Sequence, residues 1–131
     1  MPAVASPQQS AIIVVGDPVL AASLELALLA GGLNAFIYDP AQGLDRLPLD
    51  IAMTLIVNAS LLTPDPATFV SGLRECAWDG LVILMTGDAA SLEAAFQRSH
   101  RVVLLEMPFV GADLIAVIRE AWGPDGSVTQ P

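Results

Sequence analysis

The sequence contains no lysine, and its cations are five arginines set against 14 acidic residues, for a net charge of -9 at pH 7. Schiff-base chemistry and the lysine-bearing phosphate loop both need that amine, so both are excluded. A chain this acidic, without a basic stripe, argues against direct binding to nucleic acid or to an anionic membrane. Cysteine is nearly absent too. Cys76 alone cannot form an intrachain disulfide or a thiolate zinc cluster, so a reducing, cytoplasmic setting is expected. Aromatic residues make up only 5% of a chain that is 54% hydrophobic, which leaves Ala, Val, Ile and Leu to build the core. A long apolar stretch over residues 19–38 is broken by Glu25, Gly31, Gly32 and Asn34 before it reaches membrane-spanning length. No Lys or Arg precedes an apolar run at the N-terminus, so no secretory signal is expected.

What is present has the size of one domain, able to bury a core without staples. Residues 1–10 (MPAVASPQQS) read as a flexible leader, residues 11–122 as the folded domain, and residues 123–131 (GPDGSVTQP) as a linker-like tail. The run at 11–15 (AIIVV) is β-branched and closed by Gly16-Asp17-Pro18, the pattern of a strand buried on both faces. Asp17 then suits the N-cap of a helix with Pro18 in its first turn. Leu20, Leu24, Ala27 and Leu28 recur at helical spacing until Gly31-Gly32 ends that helix.

Four further units follow. Short apolar runs at 34–38, 53–58, 81–85 and 102–105 read as strands. Helices are expected at 67–76, 89–97 and 112–122, with a weak one at 41–47 that Gly43 and Pro48 interrupt. Five strands alternating with five helices predict an α/β fold: a flavodoxin-like, doubly wound, five-stranded parallel sheet of order 2-1-3-4-5, with helices on both faces. In such a sheet the site lies at the carboxyl ends of the strands, which nominates Gly16, Asp17 and Asn58, with Thr86 and Met107 beside them.

Three blocks, IIVVGDPVLAASLELALLAGGL, VILMTGDA and VLLEMPFVGADLIAVI, resemble a response-regulator receiver (CheY-like) domain over residues 11–122. Receivers carry an acidic pair after the first strand, a phospho-accepting Asp after the third, a Thr or Ser after the fourth and a Lys-Pro step after the fifth. By position, Asp17 matches the second acidic residue, Thr86 the hydroxyl and Pro108 the proline. The other places differ. Gly16 stands for the first acidic residue, Asn58 for the acceptor, Met107 for the Lys, and Leu104 for the usual aromatic residue on the fifth strand. Ser60 also fits the acceptor place, although Asn58 directly ends the apolar run. The family's equivalent of the Met107-Pro108 bond is usually cis, and the resemblance extends that geometry to this chain.

The resemblance therefore implies a degenerate phosphorylation pocket. Forming an acyl phosphate needs a carboxylate nucleophile, a magnesium ion held mainly by carboxylates, and a cation facing the phosphoryl oxygens. An Asn amide is no substitute nucleophile, one Asp17 is a poor magnesium site, and Met107 carries no charge. Two carboxylates and the cation are missing together, which keeps the site's charge in balance. Each remaining residue also has an ordinary role: Asp17 as a helix cap, Thr86 as a satisfied strand-end hydroxyl, Met107 as packing. Cys76 reads as a packed small residue and His100 as a solvated loop residue.

Function is expected to be non-enzymatic, with neither metal nor cofactor: an atypical, phosphorylation-incompetent receiver serving as a protein-interaction or dimerisation module in signal transduction. In the family the face made by the fourth helix, fifth strand and fifth helix usually mediates dimerisation, and here it offers Arg98, Arg101, Asp113, Arg119 and Glu120. A still-switchable receiver, modified at Asp17, Ser60 or Thr86 or answering to a ligand, and a small flavodoxin-like ligand-binding domain are the alternatives.

Overall fold

A computed structural model describes residues 9–62, 65–97 and 101–122. Five strands, β1 (Ser10–Val14), β2 (Asn34–Ile37), β3 (Thr54–Asn58), β4 (Leu81–Thr86) and β5 (Val102–Glu106), form one parallel sheet of order β2-β1-β3-β4-β5. This is the doubly wound order expected from the sequence. β1 starts at Ser10, paired with Asn34, so the strand reaches one residue into the stretch read as leader. The rest of the expected leader, residues 1–8, and the expected tail, residues 123–131, lie outside the described residues.

Four α-helices are present among the described residues, not five: α1 (Pro18–Ala30), α2 (Pro66–Glu75), α3 (Ala89–Phe96) and α4 (Gly111–Trp122). The helix expected at 41–47 is replaced by 3-10 turns at Pro40–Gln42, Leu44–Arg46 and Leu49–Ile51. Gly43, at φ +98°, and Pro48 stop each turn from propagating, and the Tyr38 hydroxyl donates to the Gly43 carbonyl to fix the first.

Strand side chains alternate between two cores. Ala11, Ile13, Ile56, Ile83 and Met85 face α1 and α4, meeting Leu24, Leu28, Leu114 and Ile118. Ile12, Val14, Leu55, Val57, Val82 and Leu84 face the other way, onto Val70 and Leu73 of α2, Trp78, and Phe96 of α3. The inner strands β1, β3 and β4 are buried on both faces, as continuous aliphatic runs require, whereas the edge strand β5 is half-buried.

Two helices end in the same motif. After α1, Gly32 (φ +85°) donates to the Leu29 carbonyl and Leu33 to the Leu28 carbonyl, a Schellman cap. After α2, Ala77 donates to Arg74 and Trp78 to Leu73 in that same pattern, but here a residue with a Cβ sits at φ +65°. Cys76, expected to be packed, is exposed at this cap: α2 buries Val70 and Leu73, and position 76 falls off that face.

Trp78 itself is buried, and its indole N–H donates to the carbonyls of Leu49 (3.0 Å) and Ala52 (3.1 Å). Arg74 donates from one nitrogen to the carbonyls of Trp78 (3.1 Å) and Gly80 (2.9 Å) and reaches that of Arg101 at 3.4 Å. Its guanidinium lies over the Trp78 ring. Burial lowers the Arg74 pKa from its ordinary value, the Arg101 charge adds to this, and Asp79 opposes it.

Candidate functional site

The carboxyl ends of the strands bring the five nominated residues to one end of the sheet. Gly16 and Asp17 follow β1, Asn58 is the last residue of β3, Thr86 the last of β4, and Met107 follows β5. Register ties them laterally, with Asn58 opposite Met85, Thr86 opposite Glu106, and the Met107 N–H donating to the Thr86 carbonyl at 2.8 Å. Ser60 lies beyond the strand in a 3-10 turn at Ala59–Leu61, so Asn58 occupies the strand terminus. The Met107-Pro108 bond is cis, as the resemblance implied.

Three of these polar side chains turn back on their own loops through contacts two residues apart. Asp17 Oδ1 accepts from the Val19 N–H (2.9 Å) as the N-cap of α1. Asn58 Oδ1 accepts from both the N–H (3.0 Å) and the hydroxyl (2.9 Å) of Ser60. Thr86 Oγ1 accepts from the Asp88 N–H (3.1 Å). Each bond offers the chain a tight turn at a strand end, the local role that Asp, Asn and Thr favour. Met107 packs against the core on the α1 side, beside an apolar cleft of about 330 Å³ that Leu20, Ser23, Ala27 and Phe109 also line.

Two carboxylates at this end were not nominated from the sequence. Asp88 caps α3 by accepting from the Ser91 N–H at 3.3 Å, a role that its place before Ala89 could have signalled. Glu106 accepts from the Ala89 N–H at 3.0 Å across 17 residues, a contact that depends on the β4–β5 register and has no local signature.

The magnesium ion of receiver chemistry does not fit the residues present. Among the described residues no three His, Cys, Asp or Glu side chains come together at metal-binding spacing. The carboxylate of Asp17 and the amide oxygen of Asn58 are both engaged by local N–H groups. Gly16 leaves room instead: a Cβ built there meets nothing within 4 Å, so the missing acidic side chain is not a steric requirement of the turn.

The residues expected to form an interaction face are more scattered. Arg101 enters β5 at the opposite end of the sheet, where it donates to the Asp79 carbonyl (2.9 Å) and pairs with its carboxylate (3.4 Å). Asp113 accepts from the Val110 N–H (3.3 Å) at the start of α4. Arg119 turns toward α1 and donates to the Gly31 carbonyl (2.9 Å). Glu120 is exposed on α4; Arg98 and His100 lie outside the described residues.

Many solved structures share this fold. A sensor protein from Polaromonas sp. JS666 superposes with a TM-score of 0.70 over 88% of this chain and 96% of its own, at 23% identity. A response regulator receiver domain protein (CheY-like) from Methanospirillum hungatei JF-1 matches with a TM-score of 0.70 at 16% identity, over 86% of this chain and 91% of its own. The beryllofluoride-activated NtrC4 receiver domain dimer gives 0.70 and 16%, over 86% and 94%. The fold is that of a response-regulator receiver domain. At these identities the likeness is one of receiver architecture. No protein-family model matches the sequence, and no curated protein matches it. No helix among the described residues is long and apolar enough to cross a membrane.

Proposed function

We propose that this chain is a receiver-like signal-transduction module of the cytoplasm that takes up no phosphoryl group and acts, without enzymatic activity, by binding protein. The observation that carries this reading is Asn58. At the strand terminus where receiver chemistry needs a carboxylate nucleophile stands an amide, with its oxygen already accepting twice from Ser60. A neutral amide does not form an acyl phosphate, and neither Gly16 nor Met107 supplies the carboxylate or cation that would support one. A sheet of complete receiver order beside such a site favours a role in contact rather than chemistry.

One contact surface in this reading is formed by α3, β5 and α4. β5 is an edge strand, half-buried over Val102 to Leu105, and Glu93, Asp113 and Glu120 are exposed on the two helices. Edge strands left accessible in this way are natural docking sites. The NtrC4 receiver, which shares the fold, is a dimer in its beryllofluoride-activated form.

Incubation with acetyl phosphate and Mg²⁺ followed by intact-mass measurement tests the reading. The mass is expected to stay unchanged. A stoichiometric phosphoryl adduct, on any residue, would overturn it.

A further inference from the structure

Helix α1 is apolar on two opposite sides. Ala21, Leu24 and Leu28 point into the core, while Val19 (77% exposed), Leu26 (68%) and Leu29 (51%) lie in solvent. With Ala22, which is also exposed, these form the series 19, 22, 26, 29, a three-four spacing that runs the length of the helix. That spacing is the seam of a helix meant to pack on another helix. Beside it the junction with α4 is also largely apolar, lined by Ala27, Ala30, Ala112, Ile115 and Ala116 together with Arg119.

We propose that the occupant of this face is a second copy of the chain, with the two α1 helices packed antiparallel about a two-fold axis. Charge selects both the surface and the orientation. Most faces of a chain with net charge -9 repel a second copy, but α1 carries one charged residue, Glu25, half-buried and off the seam. The two ends of the helix are marked with opposite charges. Exposed Asp17 caps its N-terminus, and exposed Arg119 is held at its C-terminus by the bond to the Gly31 carbonyl, roughly 20 Å away along the axis. Antiparallel pairing sets each Arg119 beside Asp17 of the other copy, twice by symmetry, and opposes the two helix dipoles. Ala22, Ser23 and Ala30 on the outer face are small enough to let the two backbones approach. The proposal deepens the interaction-module reading by naming one surface and one occupant, and rests on its claim that the chain works by contact. It leaves β5 and α3 free for another protein.

Sedimentation equilibrium on the full chain, from about 10 µM to 1 mM, tests it at a protein concentration suited to a small interface. A monomer–dimer equilibrium is expected, with Leu26→Arg raising the dissociation constant at least about 30-fold by placing an unpaired charge at the centre of the seam. Ala22→Glu is a second variant of the same kind, and circular dichroism verifies that both fold. Arg119→Glu is expected to weaken the dimer about tenfold at low salt, less at high salt, while Glu93→Arg on α3 leaves it unchanged. A monomer at every concentration overturns the proposal. So does a dimer that both seam variants leave intact and Glu93→Arg dissolves, a result under which the interaction-module reading still stands. That reading falls separately, to a phosphoryl adduct.

Discussion

Ser60 turns both its amide N–H and its hydroxyl onto Oδ1 of Asn58, at 3.0 and 2.9 Å. A carboxylate in place of that amide would accept the same two bonds, so Asn58→Asp should be tolerated by the fold. Alone it restores a nucleophile without metal ligands or counter-charge, and little adduct is expected from acetyl phosphate. Adding Gly16→Asp, for which the turn has open space, and Met107→Lys should raise the rate of adduct formation at least about 100-fold over the single variant. Time-resolved intact mass in the presence of Mg²⁺ measures it; equal rates for the single and triple variants would show that the scaffold itself, not these side chains, blocks the chemistry.

Ala77 holds the left-handed position of the cap after α2 at φ +65°, where its Cβ costs about 1 kcal/mol that glycine avoids. Ala77→Gly is therefore expected to stabilise the protein by up to about 1 kcal/mol, less the added freedom of the unfolded chain. The midpoint of urea unfolding should rise without a change in slope.

Gly80 is required for a different reason. A Cβ there would lie 2.4 Å from the Trp78 ring and 2.5 Å from the Met53 carbonyl oxygen, at a residue whose φ is not left-handed. Trp78 cannot yield, since its ring is buried and its N–H is shared by two carbonyls. Gly80→Ala should cost about 1–3 kcal/mol through overpacking, and Trp78→Phe about 1–3 kcal/mol by leaving those carbonyls without their donor. Thermal unfolding of the two variants checks both.

Arg74 spans three segments with one planar fork, which a lysine does not reproduce. Arg74→Leu is expected to lose about 2 kcal/mol or more, and Arg74→Lys to recover only a small part of it. Equal stability of the Lys variant and the parent in urea would contradict this account.

The sheet was legible in the sequence because its information is local. AIIVV, LIV within TLIVN, and LVILM are short apolar runs, each stopped by a polar turn too soon for a helix, which suits a strand buried on both faces. The 41–47 segment departs from the weak helix its pattern predicts because Ala41, Leu44 and Leu47 carry helical spacing, while Gly43 and Pro48 limit it to single turns. At the candidate site Asp17 could be placed from the strand it follows and Asn58 from the strand it ends. Glu106 could not, since its bond to Ala89 needs the register of β4 and β5. Nor could the engagement of Arg101 with Asp79 or of Arg119 with Gly31, which turns supposed free charges into tethers between distant segments.

The tie made by Arg74 also sets how the two ends of the sheet come apart. Trp78, Gly80 and Arg101 all lie at the amino-terminal ends of β4 and β5, next to the Leu81 and Val82 amides that bond to Met53 and Arg101. Those amides can meet solvent only when α2, the turn and the edge strand separate together, so their deuterium uptake should follow global unfolding. At the other end, the loops closed by Asp17 and Asn58 are each held by side-chain contacts two residues apart, while the loop after Thr86 is also tied to the end of β5 through Glu106 and Met107. The first two can open alone, so exchange there should be fast and uncorrelated, leaving a sheet welded at one end and hinged at two loops of the other.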